Sequence, residues 1–222
     1  MYYGGKSGYG VYHTIINQIP PHEVYIEPFL GGGGIMKHKR PAKRNIGVDL
    51  DLCVIETWRC HEDIELHHTD ALSFLKEFKF TGEEFIYADP PYLLETRSGR
   101  YRYHYELTQQ DHIRLLSLLK EAPCKVMLSG YWSELYEKQL SCFRVIQFRA
   151  MTRGGSCKTE CLWMNYPEPT LLHDYRYLGS NFRERELITR KKKRLIERFK
   201  RMPKLERQAI LASIHEFDFE KC

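Results

Sequence analysis

The sequence predicts an α/β fold, with a mostly parallel sheet covered by helices on both faces, followed by a helical C-terminal extension. Through residues 1–166, short runs rich in β-branched and aromatic residues alternate with segments of helical periodicity. This alternation is typical of a parallel sheet. After Tyr166 the pattern changes, because Pro167 and Pro169 interrupt the last strand and a polar stretch leads into a highly charged helical segment. We therefore predict two domains, residues 1–166 and 167–222.

Seven strands and seven helices are predicted from these patterns. The strands are residues 24–27, 45–49, 64–67, 85–89, 125–129, 145–149 and 161–165. The helices are residues 13–19, 52–60, 71–78, 109–120, 134–140, 182–201 and about 205–217. Thr108 and Ser133 directly precede two of the helices and are expected to cap them, with Asp111 three residues after Thr108.

The charge distribution separates the two predicted domains. The 222 residues carry a net charge of +5. Residues 1–166 contain 20 basic and 20 acidic side chains, whereas residues 167–222 contain 14 basic and 9 acidic ones. Within the extension, residues 183–207 hold twelve basic and four acidic side chains. A solvated helix face would explain the charge but not its one-sidedness, which favours a surface that docks on a polyanion.

Composition also excludes several classes of protein. No apolar run approaches the roughly 18 residues of a membrane span, and no signal peptide opens the chain. The seven cysteines are scattered, odd in number and form no Cys-x-x-Cys pair, so neither a zinc site nor a disulfide framework is predicted. We expect free thiols in a reducing cytoplasm, no bound metal and no membrane partner.

The most informative motif is Asp89-Pro90-Pro91-Tyr92, which directly follows the apolar run 85–88. A strand that ends in a carboxylate, two residues of fixed φ and an aromatic ring forms a rigid pocket edge. Such an edge can hold a flat ring with an exocyclic amine, such as a nucleobase, by stacking and hydrogen bonds. The alternative is an ordinary proline turn after a strand.

A cofactor site is indicated by the glycine-rich turn within residues 24–34. Glycines let the backbone approach a bulky ligand, but the turn matches neither a phosphate-binding loop nor the dinucleotide fingerprint. Asp49, at the end of the second strand, is placed to bind both ribose hydroxyls of an adenosine group. Asp51 is its competitor, although Asp51 enters the next helix. Asp70 either meets the adenine edge or caps the helix that follows it.

Three segments in order resemble the Dam-type DNA adenine-N6 methyltransferases, which use S-adenosylmethionine. They are Tyr2-Tyr3-Gly4-Gly5-Lys6, Glu27-Pro28-Phe29-Leu30-Gly31-Gly32-Gly33 and Asp89-Pro90-Pro91-Tyr92. The resemblance covers about residues 1–166, and residues 158–166 are similar to the family's final strand. It implies a Rossmann-like S-adenosylmethionine-dependent methyltransferase sheet, mostly parallel, with seven strands and an antiparallel last hairpin strand. Many relatives have Trp at the position of Tyr2.

The resemblance also implies roles for individual residues. Asp89 and the carbonyl of Pro90 accept the two N6 hydrogens of adenine, Tyr92 stacks on the base, and Pro91 completes this catalytic edge. The two acceptors localise the N6 lone pair for an in-line displacement, and the base must be flipped out of the duplex. The implied cofactor-binding residues are Tyr2, Tyr3, Gly4, Gly5, Lys6, Glu27, Pro28, Phe29, Gly31, Gly33, Asp49 and Asp70.

The sequence departs from the family in one respect, since only about 40 residues separate Asp49 from Asp89 and leave no room for the usual target-recognition insert. Two other segments are candidates for DNA contact. In residues 97–105, Arg97, Arg100 and Arg102 could hold phosphates while Tyr101, Tyr103 and Tyr105 fill the gap left by a flipped base. The alternative is a half-buried strand or lid with its tyrosines on one side. In the extension, Lys191, Lys192, Lys193 and Arg194 are expected to contact phosphates.

The sequence thus predicts an adenine-specific, site-specific DNA methyltransferase that acts on double-stranded DNA. We expect a monomer in the cytoplasm of a prokaryote, or a phage-encoded protein, and the sequence does not distinguish restriction–modification from a phage or regulatory role. An RNA or protein-amide methyltransferase is the alternative, because similar Pro-Pro-Tyr edges occur there. A DNA-binding module on a degenerate, inactive fold is disfavoured by the intact Asp49, Asp89 and Tyr92.

Overall fold

The computed structural model describes residues 5–8, 10–97, 104–151 and 157–216. The chain divides into two compact units, Met1–Tyr177 and Leu178–Cys222. The sequence put the domain boundary after Tyr166, but the residues that follow it pack on the first unit. The backbone N–H of His173 donates to the carbonyl of Ile19 (2.9 Å), and the carboxylate of Asp174 accepts the N–H of Arg40 (2.8 Å).

A single seven-stranded sheet organises the first unit. Its strands are β1 (Val24–Glu27), β2 (Arg44–Asp49), β3 (Glu65–His68), β4 (Glu84–Ala88), β5 (Lys125–Gly130), β6 (Arg144–Met151) and β7 (Cys157–Met164). Their order across the sheet is β3-β2-β1-β4-β5-β7-β6. Strands β1 to β5 are parallel, whereas β7 is antiparallel to both β5 and β6. The predicted fold class is therefore confirmed, including its antiparallel last hairpin.

Six α-helices of this unit are described: α1 (Val11–Ile16), α2 (Gly34–His38), α3 (Leu52–Trp58), α4 (Ala71–Glu77), α5 (Gln109–Glu121) and α6 (Glu134–Gln139), with a 3-10 turn at Leu94–Thr96. The α2 helix and the 3-10 turn were not predicted, because short segments that begin at glycine or contain three residues give no periodicity to read. Thr108 and Ser133 cap α5 and α6 as predicted, and each side chain accepts a backbone N–H of the first turn.

The side chains of the strands alternate between two cores. On one face, Ile26 and Ile86 belong to a cluster that includes residues of α4, α5 and α6. On the other face, Tyr25 and Phe85 belong to a cluster with residues of α1, α2 and α3. Because the central strands are buried on both faces, the residues at their carboxyl ends are carried on a rigid frame.

The strand order reverses between β1 and β4, which lie next to each other. Their register pairs Val24 with Glu84 and Ile26 with Ile86, so the residues that follow both strands emerge side by side. In open α/β sheets, ligands bind at the carboxyl edge at such a switch point. The residues just after β1 and β4 are the glycine turn and Asp89.

The second unit contains two helices, α7 (Phe182–Arg201) and α8 (Lys204–Glu216). The bounds of α7 agree with the prediction. The side chain of Asn181 caps α7 by accepting the N–H of Glu184 (3.0 Å), and Pro203 separates the two helices. No described side chain of either helix is buried. Across the described parts of both units, no helix combines the length and apolar character needed to cross a bilayer.

Candidate active site

The glycine turn lies between β1 and α2 and rests against Trp58. Gly31 and Gly33 have φ angles of 45° and 55°. A Cβ at Gly33 would lie 1.9 Å from Cζ2 of Trp58, so the turn needs glycine here for both its conformation and its space. The indole N–H of Trp58 donates to the carbonyl of Gly31 (3.0 Å) and so ties the turn to α3. Trp58 was not predicted as a site residue, because a tryptophan on a helix gives only a core signal.

The N-terminal segment crosses this turn at the start of α2. A Cβ at Gly34 would lie 2.9 Å from the backbone carbon of Lys6 and the backbone nitrogen of Ser7. The predicted residues Gly5 and Lys6 are therefore brought beside the glycine turn. The other predicted residues of this motif, Tyr2, Tyr3 and Gly4, lie outside the described residues.

One cavity at the carboxyl edge of the sheet brings together most of the predicted cofactor residues. Its lining includes Gly5, Lys6, Glu27, Pro28, Phe29, Gly31, Gly33, Asp49, Asp70, Asp89 and Pro91. Leu50, Tyr87 and Tyr105 also line it. Leu50 was missed by the sequence analysis, since an exposed leucine after a strand carries no distinctive pattern.

Three aspartates near this cavity have different local partners. The carboxylate of Asp49 accepts the N–H of Gly31 (2.8 Å) and the N–H of Asp51 (2.9 Å), and burial raises its pKa. Asp51 caps α3, which supports the choice of Asp49 as the acid that faces the glycine turn. Asp70 caps α4 through the N–H of Ser73 and also lines the cavity, so the two alternatives for this residue are compatible.

Glu27 is a buried acid at the end of β1. Burial raises the pKa of Glu27 to about 8, although the hydroxyl of Tyr25 donates to its carboxylate (2.7 Å). Lys39 is also buried, and burial lowers its pKa to about 7. A positively charged ligand group in the cavity would favour the ionised form of Glu27.

Lys6, Asp89, Tyr92 and Glu160 form a buried polar cluster at the end of β4. The ammonium of Lys6 lies 3.0 Å from Oδ1 of Asp89 and 3.4 Å from Oε2 of Glu160. It also donates to the hydroxyl of Tyr92 (2.7 Å), and that hydroxyl donates to Oε2 of Glu160 (3.1 Å). Burial raises the pKa of Asp89; the charge of Glu160 acts in the same direction, while Lys6 opposes it.

Glu160 was not predicted as a site residue. It lies on β7 (Cys157–Met164), whereas the strand predicted from periodicity began four residues after the start of β7, at Cys161, and left Glu160 out. The available signal was a single carboxylate at the edge of an otherwise apolar run, and such a residue is read as a strand boundary unless its long-range partners are known.

Tyr92 and Pro90, which were predicted to belong to the catalytic edge, are both buried. The ring of Tyr92 is 8% exposed and packs edge-on against Tyr131, with ring centroids 4.7 Å apart. Its hydroxyl and its ring are thus both held in place. The stacking of Tyr92 on a base stays a prediction, since this ring is not among the residues that line the cavity.

Residues 97–105 follow residues 89–92 and were predicted to contact DNA. In the structure, the first of them, Arg97, pairs with a carboxylate of the same protein instead of facing solvent. The guanidinium of Arg97 makes two hydrogen bonds to the carboxylate of Glu106 (3.1 and 2.5 Å) and its side chain is only 7% exposed. A buried, paired guanidinium does not suit a phosphate contact; it ties the two ends of this segment together. Tyr105 is exposed and lines the cavity. Arg100, Tyr101, Arg102 and Tyr103 lie outside the described residues.

The basic run of the second unit is on the surface of α7. Lys191, Lys192, Lys193 and Arg194 are all exposed. Their predicted contact with phosphates stays a prediction. Within the part of the chain that the structure describes, no group of three His, Cys, Asp or Glu residues is placed to hold a metal ion.

No family model and no curated protein matches this sequence. Several solved structures have a similar fold. The precorrin-8w decarboxylase of Methanobacterium thermoautotrophicum is 13% identical with a TM-score of 0.48, over 74% of this chain and 94% of that one. A dimethyladenosine transferase from Plasmodium falciparum is 16% identical (TM-score 0.46; 72% and 62% of the two chains). The magnesium protoporphyrin IX methyltransferase of Synechocystis PCC 6803, with bound SAM, is 12% identical (TM-score 0.43; 70% and 76%). Similarities this weak identify neither a family nor a substrate, so we base the function on the residues of the site.

Proposed function

We propose that this protein is an adenine-specific DNA methyltransferase that transfers a methyl group from S-adenosylmethionine to the N6 amine of a flipped-out adenine. The observation that carries the proposal is the placement of Asp89. Its carboxylate follows β4 at the switch point of the sheet and lines the same cavity as the glycine turn and Asp49. A rigid amine acceptor therefore adjoins a site of suitable shape for an adenosine-containing cofactor.

The residues of the cavity fit S-adenosylmethionine, which supplies a methyl group on a positively charged sulfur. The glycine turn lines the cavity with backbone that carries no side chains, so a bulky ligand can lie close to it. Oδ2 of Asp49 accepts the N–H of Gly31 and Oδ1 accepts the N–H of Asp51. Because a carboxylate oxygen can accept two hydrogen bonds, Asp49 can still accept the ribose hydroxyls. Leu50 offers an apolar surface for the adenine ring. Burial raises the pKa of Glu27, and the positive charge of the ligand's sulfur would lower it again, so that Glu27 would be ionised when the ligand is bound.

Asp89 is suited to both stages of the transfer. Its carboxylate and the carbonyl of Pro90 accept the two N6 hydrogens, which localises the lone pair on the nitrogen and aims it at the methyl group. As the new N–C bond forms and the S–C bond breaks, the amine becomes positively charged and must lose a proton. Burial raises the pKa of Asp89, which makes this carboxylate a better proton acceptor than an exposed one.

The ammonium of Lys6 lies 3.0 Å from Oδ1 of Asp89 in this structure, so the amine of a substrate either uses the remaining acceptor capacity of the carboxylate or displaces Lys6. Glu160 provides the alternative partner, because its carboxylate lies 3.4 Å from the same ammonium. Moving Lys6 from Asp89 to Glu160 keeps the buried charge paired while it releases the amine acceptor. A buried charge left without a partner would be strongly unfavourable.

The charge distribution supports DNA as the substrate. The second unit contains 13 basic and 7 acidic side chains, so it carries the whole net positive charge of the chain, and the four consecutive cations 191–194 are exposed on α7. Neutralising phosphates with exposed lysines and arginines supplies sequence-independent affinity for a duplex. Arg97 is not assigned to this surface, since it is buried against Glu106.

The proposal is tested with purified protein, labelled S-adenosylmethionine, and separate double-stranded DNA, RNA and protein substrates. We expect label in DNA, and about a 1,000-fold loss of it in Asp89→Asn, in the range found when a group acting only in the transition state is removed. Asp63→Asn is the matched control, because Asp63 is exposed. Cofactor binding to Asp89→Asn, measured by calorimetry, should change little. Label in RNA or protein alone would contradict the choice of DNA.

A further inference from the structure

A second groove lies on the carboxyl edge of the sheet, beyond Tyr92. It is formed where β5 leads into α6 and where β7 begins, and its lining includes Glu95, Tyr131, Trp132, Glu134 and Lys158. None of these residues lines the cofactor cavity. The groove is open to solvent along one side.

Trp132 is the exposed aromatic residue of this groove. Its side chain is 53% exposed, whereas the other two tryptophans, Trp58 and Trp163, are each 1% exposed. The neighbours of Trp132 are fixed: Ser133 caps α6 through the N–H of Tyr136, and Tyr131 packs on Tyr92. An exposed indole on a rigid support offers a flat face for stacking on a ligand ring.

The groove is continuous with the catalytic edge. Tyr131 contacts Tyr92 on one side, and the ammonium of Lys158 lies 4.9 Å from the ring centroid of Tyr131. Lys158 also precedes Glu160 by two residues on β7, so the two side chains share a face of the strand. A ligand in the groove would therefore lie directly beside the pocket in which Asp89 is proposed to hold the target amine.

We propose that this groove binds the nucleotide next to the target adenine, with its base stacked on Trp132 and its phosphate on Lys158. The proposal rests on the proposed function for the choice of DNA. Flipping one base out of a duplex deprives its neighbour of a stacking partner, and an exposed aromatic ring restores that contact. The combination of an aromatic platform with an adjacent cation is the one that binds unpaired nucleotides.

The acidic residues of the groove bear on which nucleotide it accepts. Glu95 and Glu134 line the same groove as Trp132, and their carboxylates can accept hydrogen bonds from an exocyclic amine such as the N4 amine of cytosine. The groove would therefore favour a neighbour that carries an amino group.

Intrinsic fluorescence tests this site without relying on activity. Because Trp58 and Trp163 are buried, a stacked base should quench mainly Trp132 when a DNA duplex is titrated into the full-length protein. The Trp132→Phe variant should show no such quenching but should bind DNA with nearly unchanged affinity, since the ring still stacks. Trp132→Leu should weaken binding about 5- to 150-fold, measured by anisotropy of labelled DNA. Leu171→Ala, which removes another exposed apolar side chain, is the matched control.

Lys158→Gln should weaken binding and lower the slope of log affinity against log salt by about 0.7–0.9, the effect of one phosphate contact. If saturating DNA leaves the wild-type fluorescence unchanged and Trp132→Leu binds normally, the groove is not a nucleotide site. Quenching by RNA but not by DNA would also overturn the assignment.

The experiment separates this proposal from the proposed function. Quenching by DNA that Trp132→Leu weakens, without any methylated product, would support the groove and contradict the enzymatic activity. If the protein methylates DNA but Trp132→Leu changes neither the fluorescence response nor the affinity for DNA, the enzymatic activity is supported and the groove proposal is contradicted.

Discussion

Replacing Gly33 with alanine should destabilise the first unit by about 2–5 kcal/mol, because two separate costs add. Gly33 has a φ of 55°, and this left-handed conformation costs an alanine about 1–2 kcal/mol. The new Cβ would also lie 1.9 Å from Cζ2 and 2.4 Å from Cη2 of Trp58. Carbon atoms pack at about 3.5–4.0 Å, so the buried indole and the turn must move apart by about 2 Å. Such overpacking costs about 1–3 kcal/mol.

Urea unfolding of Gly33→Ala and of a matched variant, Gly82→Ala, measures the two costs separately. Gly82 also has a positive φ, of 96°, but a Cβ there would approach only the carbonyl of Pro123, at 3.5 Å. We expect Gly82→Ala to cost only about 1–2 kcal/mol. The clash itself is tested in the background of Trp58→Phe, whose ring lacks the fused carbons that Gly33→Ala would strike. There Gly33→Ala should cost about 1 kcal/mol less than in the wild type. Strict additivity of the two changes would refute the packing argument.

Three further variants test other parts of the site. Glu160→Gln should move the acid limb of the plot of kcat/KM against pH to lower pH. The charge of Glu160 helps to raise the pKa of Asp89, and Asp89 must be ionised to accept the amine. An acid limb at the same pH or at higher pH would contradict this reasoning. Arg97→Ala should lower the free energy of unfolding by about 1.5–3 kcal/mol by removing the hydrogen bonds to the half-buried Glu106 carboxylate, without changing the salt slope of DNA binding. A smaller slope would restore Arg97 as a phosphate contact. Replacing residues 191–194 with glutamine should reduce the slope of log DNA affinity against log salt by about 0.9 for each phosphate that the variant no longer neutralises. The free energy of unfolding should not change, since α7 has no buried side chain. A destabilised protein would contradict this interpretation.

Local patterns were sufficient to predict most of the fold. The alternation of strands and helices is set by the periodicity of apolar residues, and Thr108 and Ser133 reveal helix starts through their caps. The α2 helix could not be predicted, because it has only 5 residues and begins at Gly34, where the backbone of Lys6 and Ser7 leaves no room for a Cβ. The contacts of residues 167–177 with the first unit could not be predicted for a similar reason, since nothing in this segment shows that His173 and Asp174 bind the distant Ile19 and Arg40.

In the candidate site, too, some residues could be predicted from local patterns and others could not. Asp49 and Asp89 were predicted because each lies at the end of a strand, and the carboxyl ends of neighbouring parallel strands meet at one edge. Trp58 and Glu160 were missed because their hydrogen bonds join residues 27 and 68 positions apart, to Gly31 and Tyr92. Such pairs follow from the order of strands in the sheet, which no local motif specifies. The pairing of Arg97 with Glu106 was not predicted, because the pattern of charges along the sequence does not show which acid a given base will contact.

The most direct test is the chemical identity of the product. Duplex DNA of mixed sequence is incubated with the purified protein and S-adenosylmethionine labelled on the methyl group, digested to nucleosides and analysed by mass spectrometry. If Asp89 holds an exocyclic adenine amine, the label should be found in N6-methyldeoxyadenosine and should vanish in the Asp89→Asn variant. Label on cytosine, label only in RNA, or an undiminished product from Asp89→Asn would contradict the assignment of this site.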